Sequence, residues 1–257
     1  MIPPARLELI AVPGLPLIAA GDDLPRLIHD ALSAAGQPLV EGDIVVIAQK
    51  IVSKAEGRRI RLADVEPSAE ALALAGEVGK DPRLIELILT ESRRIVRKRP
   101  GVLIVEHRLG LVMANAGIDQ SNIGGAESDP AALLLPLDPD ASAARLAEGF
   151  SGRAGVRVGV VINDSFGRPW RQGTVGVAIG AAGLAALVDR RGDPDLFGRT
   201  LRVTVIAHAD EIAAAASLLM GQADEGRPAV VVRGLASAGP EAPARALIRP
   251  AGEDLFR

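Results

Sequence analysis

Three short apolar runs, at 44–48 (IVVIA), 157–162 (RVGVVI) and 228–232 (PAVVV), constrain the fold of this chain most. Each is shorter than a typical helix and rich in β-branched residues. Each lacks polar alternation, so each reads as a strand buried on both faces. Residues 7–12 add a further strand, and the alternation of 201–208 (LRVTVIAH) another. Apolar runs at 102–105 and 109–114 flank the turn His107-Arg108-Leu109-Gly110 and read as a hairpin. Helices are expected between the strands. One spans 24–35, capped by Asp22 or Asp23, with Pro25 in its first turn and Leu24, Leu27, Ile28 and Leu32 at the helical period. Others are expected over 68–78, 82–98 and 141–150, and from Asp210 and Glu211 to 219. In 82–98 the cations Arg93, Arg94, Arg97 and Lys98 suit a helix C-terminus. The Pro-, Ala- and Arg-rich stretch from 239 onward is expected to be marginal. Strands outnumber a simple βαβ series and adjoin hairpins, which favours an α+β fold over a doubly wound sheet. One domain over 1–257 is expected, with its ordered core at about 7–235.

Composition removes several functions. Cysteine is absent, which excludes disulfides, thiolate catalysis and cysteine-ligated clusters. Trp170 is the single tryptophan and tyrosine is missing, so a stacking platform for nucleic acid is not expected. The net charge is −3 and no basic run is long, which argues against binding a phosphate backbone. Residues 1–6 lack the pattern of a secretory leader. The most membrane-like segment, 175–188, is too short to span a bilayer and reads as buried. A cytoplasmic protein without membrane or nucleic-acid partners is expected.

Chemistry concentrates where strands run into polar segments. The hairpin leads into Asn115-Ala116-Gly117-Ile118-Asp119-Gln120-Ser121-Asn122, in which five side chains offer oxygen ligands or amide donors. Asn, Asp and Gly are also the ordinary residues of a polar turn. The run at 157–162 ends in Asn163-Asp164-Ser165-Phe166-Gly167-Arg168-Pro169-Trp170-Arg171. Asp119 and Asp164 brought together ~4 Å apart would repel by ~4 kcal/mol at an effective dielectric of ~20, which a shared cation would reverse. Carboxylate, amide and hydroxyl oxygens suit Mg²⁺ or Mn²⁺ rather than zinc. Arg168 and Arg171 can clamp phosphate or carboxylate oxygens. Lys54, beside Ser53 after the strand at 44–48, is a candidate phosphate ligand. His29 reads as a surface or boundary residue of its helix, and His208 as structural. Gly173 to Gly183 is glycine-rich, but the chain has neither a Walker A loop nor a Rossmann fingerprint.

Both polar segments resemble those of the coenzyme F-420-0:L-glutamate ligases. So do Gly14-Leu15-Pro16-Leu17-Ile18, Ile51-Val52-Ser53-Lys54-Ala55-Glu56-Gly57 and Leu219-Met220-Gly221-Gln222-Ala223-Asp224-Glu225-Gly226. The five segments occur in the family's order across about 7–235.

The resemblance implies a GTP-dependent ligase. It would join L-glutamate to the carboxylate of the deazaflavin precursor F-420-0 through an acyl phosphate, releasing GDP and phosphate. Further γ-linked glutamates are added by some members. By resemblance, Asp119 and Asp164 hold one divalent ion, and Ser165 and Gln222 lie at a second. Potassium is an accompanying ion. Leu15, Pro16, Leu17, Ile18, Gln49, Lys50, Lys54 and Asn122 would line the GTP site, with Met220, Gly221, Gln222, Ala223, Asp224, Glu225, Gly226 and Arg227. Asp119, Asp164, Lys54 and Arg168 form the expected catalytic set. The implied fold has mixed and antiparallel sheets with flanking helices in an intertwined homodimer, without the fused nitroreductase-like domain of some relatives. Position 222 is Gln where an acid occurs in the family, which puts the second ion in doubt or passes it to Asp224 or Glu225. Ser165 replaces a threonine also seen there and keeps the hydroxyl. Two other functions remain open: a metal-dependent phosphatase or nucleotidase using the same aspartates, and a non-catalytic deazaflavin-binding module.

Overall fold

A computed structural model describes residues 6–124, 129–236 and 239–254. Residues 1–5 of the N-terminal segment read above lie outside them. The strands are β1 (Glu8–Ala11), β2 (Ile44–Ala48), β3 (Arg59–Arg61), β4 (Ser92–Arg99), β5 (Val102–His107), β6 (Val112–Ala114), β7 (Ala131–Leu133), β8 (Gly159–Gly167), β9 (Thr174–Ala182), β10 (Val188–Asp189), β11 (Val205–Ile206) and β12 (Ala229–Arg233). The α-helices are α1 (Leu24–Ala34), α2 (Gln49–Ala55), α3 (Ala69–Val78), α4 (Pro82–Thr90), α5 (Pro139–Ala154) and α6 (His208–Met220). The architecture is α+β.

The main sheet has the order β1-β12-β2-β8-β9, and β2 with β8 is its one parallel pair. Its apolar strands are covered on both faces. Val45, Ile47, Val160 and Ile162 pack with Ile28 and Leu32 of α1 and Leu146 and Phe150 of α5. The alternate residues Ile44, Val46, Val161, Val230 and Val232 pack with Ile212, Ala213 and Ala216 of α6. Each large side chain so buried contributes roughly 1.5–3 kcal/mol. The helices approach β9 closely at two glycines. A Cβ on Gly176 would overlap Ala213 and Ser217 of α6, and one on Gly180 would overlap Pro139 of α5. Caps set the helix starts: Asp23 accepts from the Arg26 N–H, Ser68 from Ala71 and Asp138 from Ala141.

A separate cluster joins α3 and α4 to the antiparallel β4-β5-β6 sheet through Leu74, Val78, Ile85, Ile88, Leu103 and Val105. At its border Glu91 is buried between Arg58 (3.1 Å) and Arg108 (3.0 Å).

Four expectations are corrected. The helix expected over 82–98 stops at Thr90, because Ile95 belongs to a strand: β4 pairs with β5 from Ser92↔His107 to Arg99↔Val102. The run at 157–162 does not end before its acid, because β8 continues through Asn163, Asp164 and Ser165 to Gly167, pairing with β9. Within 201–208 only Val205–Ile206 is strand, paired with β10, and His208 already opens α6. Of the stretch from 239, the described residues 239–254 are docked rather than marginal at Ala244 and Arg245: Asp140 accepts hydrogen bonds from the Ala244 and Arg245 N–H groups (2.7 and 3.2 Å), and Ala244 is buried.

Candidate active site

After β6 the backbone makes a left-handed turn, with φ of 51°, 54° and 67° at Asn115, Ala116 and Gly117. A non-glycine residue held there costs of order 1–3 kcal/mol and persists because its surroundings enforce it; Ala116 is fully buried. The turn delivers Asp119, whose N–H and C=O both pair with Leu133 of β7 (3.0 and 2.8 Å). The Asp119 backbone is therefore held by β7.

Opposite it, β2 turns directly into α2. Gln49 at the helix start is buried. Its Oε1 accepts from Ser53 Oγ–H (3.0 Å) and its Nε2–H donates to Asp119 Oδ2 (2.9 Å). Lys50 Nζ lies 3.5 Å from Asp119 Oδ1 and donates to the Ser121 carbonyl. Lys54 Nζ donates to the Asn122 carbonyl (2.8 Å), and Asn122 Nδ2–H to the Ala223 carbonyl (3.0 Å). Burial, and then the charge of Lys50, lower the Lys54 pKa from its ordinary value.

The parallel pairing Ala48↔Asn163 carries β8 alongside the start of α2. A bulge against β9 falls between Ile162 and Asn163, where a strand re-aims its side chains. Asp164 Oδ1 accepts from the Ser165 N–H, and Ser165 Oγ–H donates to Gln222 Oε1 (both 2.8 Å). Burial first, and the charge of Asp119 second, push the Asp164 carboxyl up to about 7; burial also raises Asp119. Glu225 turns back to accept from the Ala223 N–H.

These elements enclose a cavity of about 530 Å³. Every residue expected to line a nucleotide site is on its wall: Leu15 to Ile18, Gln49, Lys50, Lys54, Asn122 and residues 220–227, together with Asp164 and Ser165. Asp119 joins them through Gln49 and Lys50. Arg168 does not; it lines a second cavity. His29 and His208 line neither cavity and sit beside Asp30 and Glu211. Among the described residues no three His, Cys, Asp or Glu side chains converge, so a cation held here would draw on mixed carboxylate, hydroxyl and amide oxygens.

Asn163 was given no role in the sequence, although it stands beside Asp164. It is buried, and its Nδ2–H group meets Ser217 Oγ (3.0 Å) and Met220 Sδ (3.3 Å). It thereby ties β8 to the end of α6, from which the 221–227 loop departs. An amide inside a buried apolar strand was the available signal.

Residues 14–234 match the F420-0:Gamma-glutamyl ligase family. The chain is 50% identical to the coenzyme F420:L-glutamate ligase of Methanothermobacter thermautotrophicus, over 98% of this chain and 99% of that protein. It is 48% identical to the protein of that name from Methanopyrus kandleri (100% and 99% covered) and 43% identical to that from Methanocaldococcus jannaschii (98% and 97%). Among the described residues no helix is long and apolar enough to cross a membrane.

Proposed function

The chain belongs to the F420-0:gamma-glutamyl ligase family, and from that premise we propose that it joins L-glutamate to the carboxylate of F-420-0 at the expense of GTP. The observation that carries this reading is that Lys50, Lys54 and Asp164 line one cavity with the 220–227 loop, and that Asp119 meets that wall through Gln49 and Lys50.

In this reading the cavity holds the nucleotide, with Leu15 to Ile18 and residues 220–227 around it. Lys50 and Lys54 face its phosphates, where a fixed ammonium offsets developing charge. The two carboxylates are the pair to bridge with a divalent ion. Asp164 resists ionisation beside Asp119, and a Mg²⁺ or Mn²⁺ ion, when bound, would supply the missing positive charge. Asp119 and Asp164 would hold that ion, and Ser165 and Gln222 a second; such ions neutralise phosphate oxygens when bound. The Ser165–Gln222 hydrogen bond keeps those two oxygens adjacent despite the amide at 222. Phosphorylation of the acceptor carboxylate by GTP would give an acyl phosphate. Attack by the glutamate amine then forms the amide and releases phosphate.

The test is mass spectrometry of F-420-0 with L-glutamate, GTP and Mn²⁺, with controls omitting each. The expected product is heavier by one or more glutamyl units and forms only when all are present. GTP hydrolysis that is indifferent to glutamate and acceptor would replace this reading with a phosphatase. Asp119→Asn and Asp164→Asn are each expected to abolish ligation in folded protein.

A further inference from the structure

The second cavity has no part in the site described above. It measures about 770 Å³, a volume suited to one sizeable organic ligand. It begins where the first ends: Asp164 and Ser165 line one, Phe166 and Arg168 the other, on one run of chain. At about 3.3 Å per strand residue, Ser165 and Arg168 lie within roughly 10 Å.

Its wall is apolar, with Leu109, Leu111, Val177 and Ile179, and its polar lining is Arg168, Arg171, Arg245 and Arg249 beside Asp138, Asp140, Asp210 and Asp254. Arg168, Arg171 and Arg249 are exposed there. Arg168 makes one long contact, 3.4 Å to the Gly173 carbonyl. Among the described residues the guanidinium groups of Arg171 and Arg249 have no hydrogen-bond or ion-pair partner. The acids nearby are already engaged. Asp138 caps α5, Asp140 accepts from three backbone N–H groups, Asp210 accepts from the Ala178 N–H, and Asp254 has a partner too. Trp170, 86% exposed, lines the same cavity.

An apolar wall beside unpaired guanidinium groups fits a ligand with a flat apolar body and an anionic end. We propose that this cavity receives the carboxylate acceptor, with its anionic groups on Arg168 and Arg171 and its ring system against Trp170 and the apolar wall. The proposal rests on the ligase reading, which requires nucleotide and acceptor to be bound together. The first cavity is of a size for one of them. Acceptor lying along the 166–171 segment would present its carboxylate toward Asp164.

The test is equilibrium dialysis with F-420-0, followed by its deazaflavin absorbance, beside binding of GTP in the presence of Mn²⁺. The double variant Arg168→Ala/Arg171→Ala is expected to weaken F-420-0 binding about tenfold or more. GTP affinity should stay within about twofold, which also reports that the fold is intact. Arg171→Lys should lose less than Arg171→Ala. Unchanged F-420-0 affinity would overturn the proposal. So would a loss confined to GTP, which would place the arginines at the nucleotide. A changed sedimentation coefficient in the double variant would overturn it in favour of a second copy of the chain seated there. Wild-type protein that binds GTP but no F-420-0 would remove the ligase reading itself.

Discussion

Gln49 donates to the Asp119 carboxylate across 70 residues of sequence, at 2.9 Å, and is itself held by Ser53. Gln49 and Ser53 stand one helical turn apart on α2, so the helix grown from the end of β2 fixes the rotamer of an acid on another element. Partners that orient a metal-binding carboxylate typically contribute 10–100-fold to affinity. Gln49→Leu is therefore expected to weaken Mn²⁺ binding to the nucleotide-free protein by about 10–100-fold, and Ser53→Ala by less. Titration followed by the electron paramagnetic resonance of free Mn²⁺ reads both. Unaltered affinity in Asp119→Asn would remove Asp119 as a ligand. A silent Gln49→Leu beside a damaged Asp119→Asn would remove only the orienting role of Gln49.

The Asp164 carboxyl makes the metal-free protein sensitive to pH. Burial, then Asp119, raise it to about 7, while the Ser165 N–H and Lys50 oppose the shift. A raised acid means that the folded state prefers the proton. Its contribution is thus fully present below the ordinary carboxylate range of about 4 and is lost as pH rises to about 7. Between pH 5 and 7.5 the metal-free protein should lose at least ~1 kcal/mol, or roughly 2–4 °C in Tm, relative to Asp164→Asn. Mn²⁺ should restore the loss. Parallel Tm–pH curves for the two proteins, without metal, would refute the coupling.

The sheet was legible because its signal is local. The β2, β8 and β12 runs are apolar on both faces, and the caps of α1 and α3 lie beside their helices in sequence. What was misread depended on distant partners. Ser92 to Arg99 carries five cations and continues an apolar helix, and only pairing with β5 makes it a strand. Asp164 and Ser165 read as loop residues because polar groups seldom sit in a buried strand, yet β9 satisfies their backbone. The segment after 239 looked marginal because Asp140, about a hundred residues earlier, is what holds it. In the site, the strand ends and polar motifs point to residues that line one cavity. That Gln49 serves Asp119, and that Arg168 belongs to another cavity, are facts of side-chain direction that spacing does not contain.

Glu91 is the buried charge on which one side of the molecule depends. Burial would raise its pKa, but contacts with His107 and Arg108, and the charges of Arg108 and Arg58, hold it down at about 2. Removing one partner of a buried ionic cluster costs roughly 3–5 kcal/mol, because the others stay behind unneutralised. Glu91→Gln should lower the denaturation midpoint accordingly with an unchanged m-value. A depressed acid stabilises above its ordinary pKa and loses that contribution only as pH falls toward 2, so the deficit should be constant from pH 6 to 8. A cost below ~1 kcal/mol would show that Arg58 and Arg108 find water when Glu91 is lost.

Gly176 and Gly180 test whether close helix–sheet approach is a packing requirement. Neither has a positive φ, so backbone strain is not the issue. The obstacle is space. A Cβ on Gly180 would overlap the Pro139 carbonyl, and one on Gly176 the Ala213 carbonyl, both of them backbone groups that cannot rotate away. The α6 face toward the sheet already carries the small residues Ala209, Ala213 and Ala216 beside Ile212, and the Ala213 carbonyl that a Cβ on Gly176 would meet is backbone, which no side-chain change on the helix can trim. Gly176→Ala and Gly180→Ala should each cost about 1–3 kcal/mol through displacement of α6 or α5. Gly152, also in α5, is exposed with open space around its Cβ position. Gly152→Ala should instead stabilise by about 0.5–1 kcal/mol through helix propensity. Thermal melts of the three variants separate the effects: losses at 176 and 180 with a gain at 152 place the cause in packing, whereas gains at all three would mean that the helices ride farther from β9 in solution.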